Sequence, residues 1–330
     1  MLCRVRYIIH VSGNCDAVAS FEVRWHMPEH KLNSKAFYHL PGLYEFYELY
    51  KIFVPLFYEH KDFFYDWCEI GSIYGSPEDC LWGGGRVENG YEDTEKVKNL
   101  LEHYGISPRL TFSNSLLSKE HLSDGKCNRL CRRFTDSSAF RTGAIVSSDM
   151  LIDYLNEKYP SIYLVSSTTK VIKDEKGLVR ELQNEKFTYV VPDHEFNRRM
   201  DIWAQLSADL RSKVEFLCNE CCPVECRQRK ACYEAVSRKN LGLDGPEHHC
   251  PMVAKEGGYS FARAMKNQSF ISIKDIADVL IPMGYSNFKI EGRGLGSAMV
   301  LEMLIYYMVK PEYSVNVREA VYLSNTLDLF

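Results

Sequence analysis

The sequence predicts an eight-stranded β/α barrel of the TIM type with an N-terminal extension. From about residue 65, short apolar runs alternate with amphipathic runs, and eight strand-then-helix units can be counted. Strict alternation of strands and helices predicts a parallel sheet with right-handed crossovers. Eight such units close into a barrel, and 330 residues are enough for one barrel domain.

Each predicted strand is a short apolar run that ends in a turn or in polar residues. The eight runs are Trp67–Tyr74, Arg109–Phe112, Ala144–Ser147, Ile162–Ser166, Phe187–Val191, Val214–Leu217, Ser269–Ile273 and Phe288–Ile290. A doubly wound open sheet is the alternative. It normally needs fewer units, and no Gly-x-Gly-x-x-Gly turn follows the first predicted strand.

The domain prediction divides the chain into two parts. Residues 1–60 form an extension packed on the barrel, in which 21–25 could be an edge strand and 43–60 a helix covering the N-terminal end. Residues 61–330 form the barrel, with a cysteine-rich insertion at about 218–250. No linker or low-complexity segment divides the chain further.

Composition and charge argue against a nucleic-acid-binding, secreted or membrane-spanning protein. A formal net charge of -4 gives no global basic field for nucleic acid. No secretory signal is visible, and the apolar stretch 50–58 is too short to span a bilayer. We therefore expect a cytoplasmic protein with no membrane partner. In that reducing compartment, 12 cysteines need an explanation other than disulfides.

Polar residues follow several predicted strands, and barrel active sites lie at these C-terminal strand ends. We expect Glu291, Arg293, Arg86 and His194 to contribute to a site for a polar small molecule or a peptide. Strand ends also meet water, so a purely structural role is the alternative for each single residue.

The strongest local signal is a cluster of cysteines, because six of the 12 lie between Cys218 and Cys250. Thiolates are soft ligands for iron–sulfur clusters and zinc. Cys222 and Cys226 could reach one cluster, and Cys232 and Cys250 are candidates for the remaining two ligands of a 4Fe-4S cluster.

Several alternatives to this ligand set remain open. His248, His249 and Cys250 would also suit zinc. The Cys-x-x-x-Cys-x-x-Cys motif of radical S-adenosylmethionine enzymes is absent, because Arg229 stands at the third cysteine position. Buried free cysteines without a metal are the remaining possibility.

Two runs of residues resemble a known family. Lys289-Ile-Glu-Gly-Arg293 resembles the signature of the collagenase-like peptidase family, which also contains anaerobic ubiquinone-hydroxylation proteins and RNA-hydroxylation factors. The run from Leu217 through Asn219 to Cys226 is similar to that family's strand, asparagine and spaced cysteine pair. The resemblance covers about residues 65–310 and implies a barrel.

In its hydroxylation branch, the family carries a four-iron cluster on four cysteines. The resemblance implies that Cys222, Cys226 and Cys250 are ligands, with Cys232, Cys221 or Cys218 as the fourth. It also implies that Glu291 and Arg293 form the signature pair at the barrel mouth.

Three functions follow as hypotheses. The first is an oxygen-independent hydroxylation or another redox modification that depends on the cluster, with a possible protein partner subunit. The second is a peptidase-like hydrolase, although no Ser/His/Asp spacing and no His-Glu-x-x-His motif is present. The third is a non-catalytic binding module with a structural zinc. Fold-level analogy alone does not choose among them.

Overall fold

A computed structural model of the chain describes residues 34–84, 93–250 and 259–326. In this part of the chain, eight parallel strands follow one another around a barrel. They are β1 Ala36–Pro41, β2 Cys68–Gly75, β3 Ser107–Phe112, β4 Gly143–Val146, β5 Tyr163–Ser166, β6 Phe187–Val190, β7 Glu215–Leu217 and β8 Asn287–Lys289.

The strand order closes the barrel. The hydrogen-bonded order is β6-β5-β4-β3-β2-β1-β8-β7, with every neighbouring pair parallel. A single parallel bridge between Val190, at the end of β6, and Val214, just before β7, joins the two ends of the sheet. The predicted TIM-like barrel is confirmed.

Helices connect the strands on the outside of the barrel. The longer ones are α1 Tyr47–Glu59, α2 Thr94–Tyr104, α3 Gly125–Thr135, α4 Asp149–Lys158 and α5 Glu175–Gln183. The later ones are α6 Met200–Trp203, α7 Ala208–Lys213, α8 Arg229–Asn240, α9 Phe261–Ala264, α10 Ile273–Asp275, α11 Ser297–Met308 and α12 Ser314–Thr326. None of the described helices is long and apolar enough to cross a membrane.

The membership of the barrel corrects the sequence prediction at two places. β1 lies inside the segment that was predicted to be an extension, so residues 36–60 supply the first β/α unit. The predicted strand Ser269–Ile273 is not a strand. Ile271 N–H donates one backbone hydrogen bond to the Cys218 carbonyl (2.9 Å), and Ser272 then caps α10. Residues 1–33, including 21–25, lie outside the described residues.

Two apolar clusters are separated by the sheet. The larger lies between the strands and the helices, where Phe216, Phe288 and Trp203 pack together with ring centroids 5.1–6.2 Å apart. The smaller lies inside the barrel and includes Tyr163 and Val165. Because side chains alternate across a strand, strands such as β2, β4 and β5 contribute to both clusters.

The lower interior of the barrel is charged. Glu215 is fully buried, and its Oε2 accepts a hydrogen bond from Arg109 Nη1 and lies 3.5 Å from His39 Nε2. Lys289 Nζ lies 3.4 Å from Glu215 Oε1. Burial alone would raise the pKa of Glu215, but Arg109, His39 and Lys289 lower it to about 2. The carboxylate is therefore ionised and is the shared partner of three strands.

Replacing Glu215 by glutamine keeps the side-chain shape but leaves Arg109 buried without its counter-charge. We expect the free energy of unfolding to fall by about 3–5 kcal/mol in urea denaturation. The matched change at the exposed Glu157 of α4 should stay within about 0.5 kcal/mol of the unmodified chain. A loss below about 1 kcal/mol for Glu215→Gln would contradict the assigned role of this carboxylate.

Candidate active site at the mouth of the barrel

A cavity of about 490 Å³ lies at the C-terminal ends of the strands, within the size range of small-molecule sites. We call it the mouth cavity. It is lined by Tyr74, Thr111, Ile145, Ser167, Thr168, Thr169, Leu217, Glu220, Tyr233, Val236, Lys289, Glu291, Arg293 and Gly294.

One wall of the mouth cavity carries charge. It consists of Lys289 at the end of β8, Glu291 and Arg293 in the loop that follows, and Tyr74 from β2. Lys289 Nζ lies 3.4 Å from the centroid of the Tyr74 ring, and Arg293 Cζ lies 5.8 Å from it. The Tyr74 hydroxyl donates to the Ile290 carbonyl at 2.7 Å. Both side chains therefore lie beside the Tyr74 ring, on the same side of the barrel.

The loop that carries Glu291 is held by a buried amide. Asn219 Oδ1 accepts from Glu291 N–H and Asn219 Nδ2 donates to the Glu291 carbonyl, both at 2.8 Å. Gly292 is required at the next position, because a Cβ there would lie 2.8 Å from Val300 Cγ2 and 2.9 Å from Pro41 Cγ. These contacts explain the glycine at position 292 and the asparagine after β7.

Another group of lining residues carries hydroxyl groups. Ser167 and Thr169 hydroxyls lie 2.9 Å apart, and Thr168 Oγ1 donates to the Pro192 carbonyl at 3.1 Å. Thr111 Oγ1 is buried and has no hydrogen-bond partner among the described residues. A buried polar atom without a partner carries a free-energy cost that a ligand hydroxyl would relieve.

Helix α8 forms a roof over the mouth cavity through Tyr233 and Val236. Its first residue, Arg229, is buried and donates to Asp193 Oδ2 (3.0 Å) and Glu220 Oε2 (2.8 Å), at the ends of β6 and β7.

The other end of α8 is tied to the end of β3. Asn114 Nδ2 donates to Asn240 Oδ1 at 3.0 Å, and the Ser115 N–H donates to Ser237 Oγ at 3.3 Å. The helix therefore spans the mouth, with both ends anchored by side chains.

Lys289 has the most altered amine among the described residues. Burial lowers its pKa to about 7; Glu215 opposes this shift, while Arg109 and Arg293 add to it. The amine is then partly neutral near pH 7, which an exposed lysine is not.

The predicted catalytic residues do not all meet. Glu291 and Arg293 line the mouth cavity. His194 does not; it is buried behind the strand ends, where Nδ1 lies 3.0 Å from Ser269 Oγ. Burial and Arg229 lower its pKa to about 4, so the ring is neutral. Arg86 lies outside the described residues.

The predicted cluster ligands do not form a metal-binding group in the part of the chain that the structure describes. There, no three Cys, His, Asp or Glu side chains are arranged to hold a metal ion. Cys222 follows β7, Cys232 lies in α8, and the other two occupy separate loop positions, Cys226 and Cys250.

Burial, and then Glu220, raise the pKa of the Cys222 thiol. The 4Fe-4S cluster and the alternative zinc both stay predictions from the sequence.

Comparisons with known proteins add one finding. No family model and no curated protein matches the chain. The chain is similar to a solved structure of a U32 peptidase. The identity is 12%, the TM-score is 0.44, and the match covers 82% of this chain and 98% of that one. U32 peptidases are collagenase-like peptidases, the family that the two sequence motifs resemble. The likeness says nothing about activity.

Reasoning from the sequence missed the residues beneath the cavity. Arg109, Glu215 and His39 sit within predicted or missed strands and were not predicted as site residues. Lys289 was noted only as a polar residue at the end of the eighth strand and as part of the family motif. The available signal was a charged residue at the inward-facing position of a buried strand, as in Val214-Glu-Phe-Leu217.

The lowered pKa of Lys289 predicts a dependence of stability on pH. Between about 7 and the ordinary value of about 10.4, the unfolded chain binds more protons than the folded one. The lysine therefore makes the free energy of unfolding rise with pH in this window, by at most about 1.4 kcal/mol per pH unit. Its charged neighbours are Glu215 on β7, Arg109 on β3 and Arg293 after β8.

Urea denaturation at pH values from 7 to 9 checks this expectation. Lys289→Met should remove the rise relative to the unmodified chain, whereas Lys239→Met, on the exposed face of α8, should keep it. Identical pH slopes for the two variants would show that Lys289 titrates as an ordinary lysine.

Proposed function

We propose that this chain is an enzyme that binds a polar small molecule or a short peptide in the mouth cavity and acts on it by acid–base chemistry. One observation carries the proposal. An amine, a carboxylate and a guanidinium, from Lys289, Glu291 and Arg293, line the same cavity at the C-terminal end of a barrel.

Each group has a role that suits its chemistry. Lys289, with its lowered pKa, accepts a proton near neutral pH. Glu291 supplies the second proton-transfer group from a loop that Asn219 holds in place. Arg293 orients a carboxylate or another oxygen-rich part of the substrate. Helix α8 covers part of the cavity through Tyr233 and Val236, and reduced contact with water strengthens electrostatic effects.

Other functions have less support. A cluster-dependent hydroxylation, which the family resemblance implies, has no converged ligand set among the described cysteines. A peptidase-like hydrolysis is one form of the acid–base proposal, with a peptide as the substrate. A binding module would use the same cavity without turnover. A protein partner subunit stays a prediction.

A ligand screen tests the proposal. Hydroxy acids, sugar acids, amino acids and short peptides would be added to the purified chain, and the thermal unfolding midpoint measured. A ligand of the cavity raises the midpoint because it binds only the folded state. Arg293→Gln should weaken its affinity by about tenfold or more, since a charge-assisted hydrogen bond is lost.

The matched control is Arg199→Gln, which changes an exposed arginine paired with Asp201. It should leave the ligand affinity unchanged. The proposal fails if no member of the panel binds, or if Arg293→Gln binds as tightly as the control. A ligand that binds at Arg293 but is recovered unchanged would favour the binding module.

A further inference from the structure

We propose that Lys289 is a covalent catalyst, whose amine forms a Schiff base with the carbonyl of a short hydroxy-aldehyde or hydroxy-ketone held in the mouth cavity. This inference rests on the proposed function, since it needs the cavity to be the active site. It adds the identity of the bond-forming atom and the chemical class of the substrate.

The position of the amine supports a nucleophilic role. Lys289 is the last residue of β8, so its backbone is fixed by pairing with both β1 and β7. Its side chain is buried, points into the barrel and lines the mouth cavity. No other lysine of the described ranges lines this cavity. A rigid strand places a reacting group more accurately than a loop does.

Glu215 does not lock the amine in place. Its Oε2 is taken by Arg109, and its Oε1 lies 3.4 Å from Lys289 Nζ, longer than a strong charge-assisted hydrogen bond. The carboxylate already has a full positive charge beside it in Arg109. The lysine can therefore lose its proton without leaving a buried carboxylate unpaired.

Burial and the two arginines supply the neutral amine that the reaction needs. With a pKa of about 7, roughly half of the Lys289 side chains are neutral at pH 7. An ordinary lysine is neutral about a thousandfold less often. This is the usual way in which a protein activates a lysine towards carbonyl groups.

The chemical step balances without an oxidant or a reductant. The lone pair of Lys289 Nζ forms a bond to the carbonyl carbon, while the carbonyl oxygen gains a proton and the nitrogen loses one. The resulting carbinolamine gains a further proton and loses its oxygen as water, which leaves a protonated C=N bond. One proton is consumed, one water is released, and Glu291 in the same cavity can carry the proton transfers.

The hydroxyl-bearing residues of the lining select the substrate class. Thr111, Ser167, Thr168 and Thr169 line the same cavity as Lys289, and the last three already share hydrogen bonds within the protein. Thr111 Oγ1 is buried and has no hydrogen-bond partner among the described residues. Hydroxyl groups one or two carbons away from the carbonyl would meet these residues. A substrate without them would leave Thr111 Oγ1 unsatisfied, which costs affinity.

Reductive trapping tests the inference. The full chain would be incubated with glyceraldehyde and sodium cyanoborohydride, and the modified residue located by peptide mass spectrometry. The hydride of the reagent converts the C=N bond to a stable secondary amine. We expect one adduct per chain, at Lys289, formed at least about tenfold faster than at any surface lysine.

Two comparisons sharpen the result. Propanal has the same three carbons but no hydroxyl groups, and it should show much less preference for Lys289. Thr111→Val keeps the side-chain shape and the amine, and it should reduce the preference for glyceraldehyde over propanal. Lys289→Met should lose the adduct while its thermal unfolding remains cooperative.

The outcomes separate the two proposals. Labelling spread evenly over surface lysines, with none favoured at Lys289, overturns the Schiff-base inference. If the ligand screen still finds ligands whose binding needs Arg293, the proposed function stands without it. Selective labelling of Lys289 by propanal and glyceraldehyde alike keeps the covalent role but overturns the assigned substrate class.

Discussion

The structure depends on one ionised carboxylate in the middle of the barrel. Glu215 is fully buried, and it is the shared partner of Arg109 on β3, His39 on β1 and Lys289 on β8. Without it, three nitrogen groups would face one another in a space that excludes water, which is costly. The charge of this carboxylate therefore decides both whether the barrel interior is stable and what the amine above it can do.

The buried carboxylate of Glu215 also connects the fold with the proposed chemistry. Arg109 neutralises Glu215 from below, so Lys289, on the upper side, is not needed as its counter-ion. The C-terminal end of β8 then carries an amine whose pKa is lowered to about 7 into a roofed cavity. Arg229 holds that roof by two buried ion pairs. The charged groups around Glu215 thus stabilise the barrel interior and set the state of the Lys289 amine. The ion pairs of Arg229 hold the helix over the cavity that this amine lines.

Sequence reasoning predicted the barrel and the signature pair Glu291 and Arg293, because hydrophobic periodicity and strand-end chemistry are local signals. It was wrong about two elements: it missed one strand and predicted a strand at a segment that does not form one. β1 was missed because the strand count began at about residue 65. Ser269–Ile273 was taken for a strand because it contains the apolar residues Phe270 and Ile271, which are buried without sheet pairing. The pairing of Arg109 with Glu215, 106 residues apart, has no local signal at all. The cysteine cluster was a signal of composition, and the described side chains do not converge on a metal.

The most direct test of the account is the titration of Lys289 itself. In the chain labelled with carbon-13 at the lysine Cε position, the Lys289 resonance, assigned by its absence in Lys289→Met, would be followed by NMR from pH 5 to pH 11. The account predicts a titration midpoint near 7, well below those of the surface lysines. A midpoint near the ordinary value of about 10.4 would show that Glu215 holds the lysine as its counter-ion, and would contradict the role assigned to the mouth cavity.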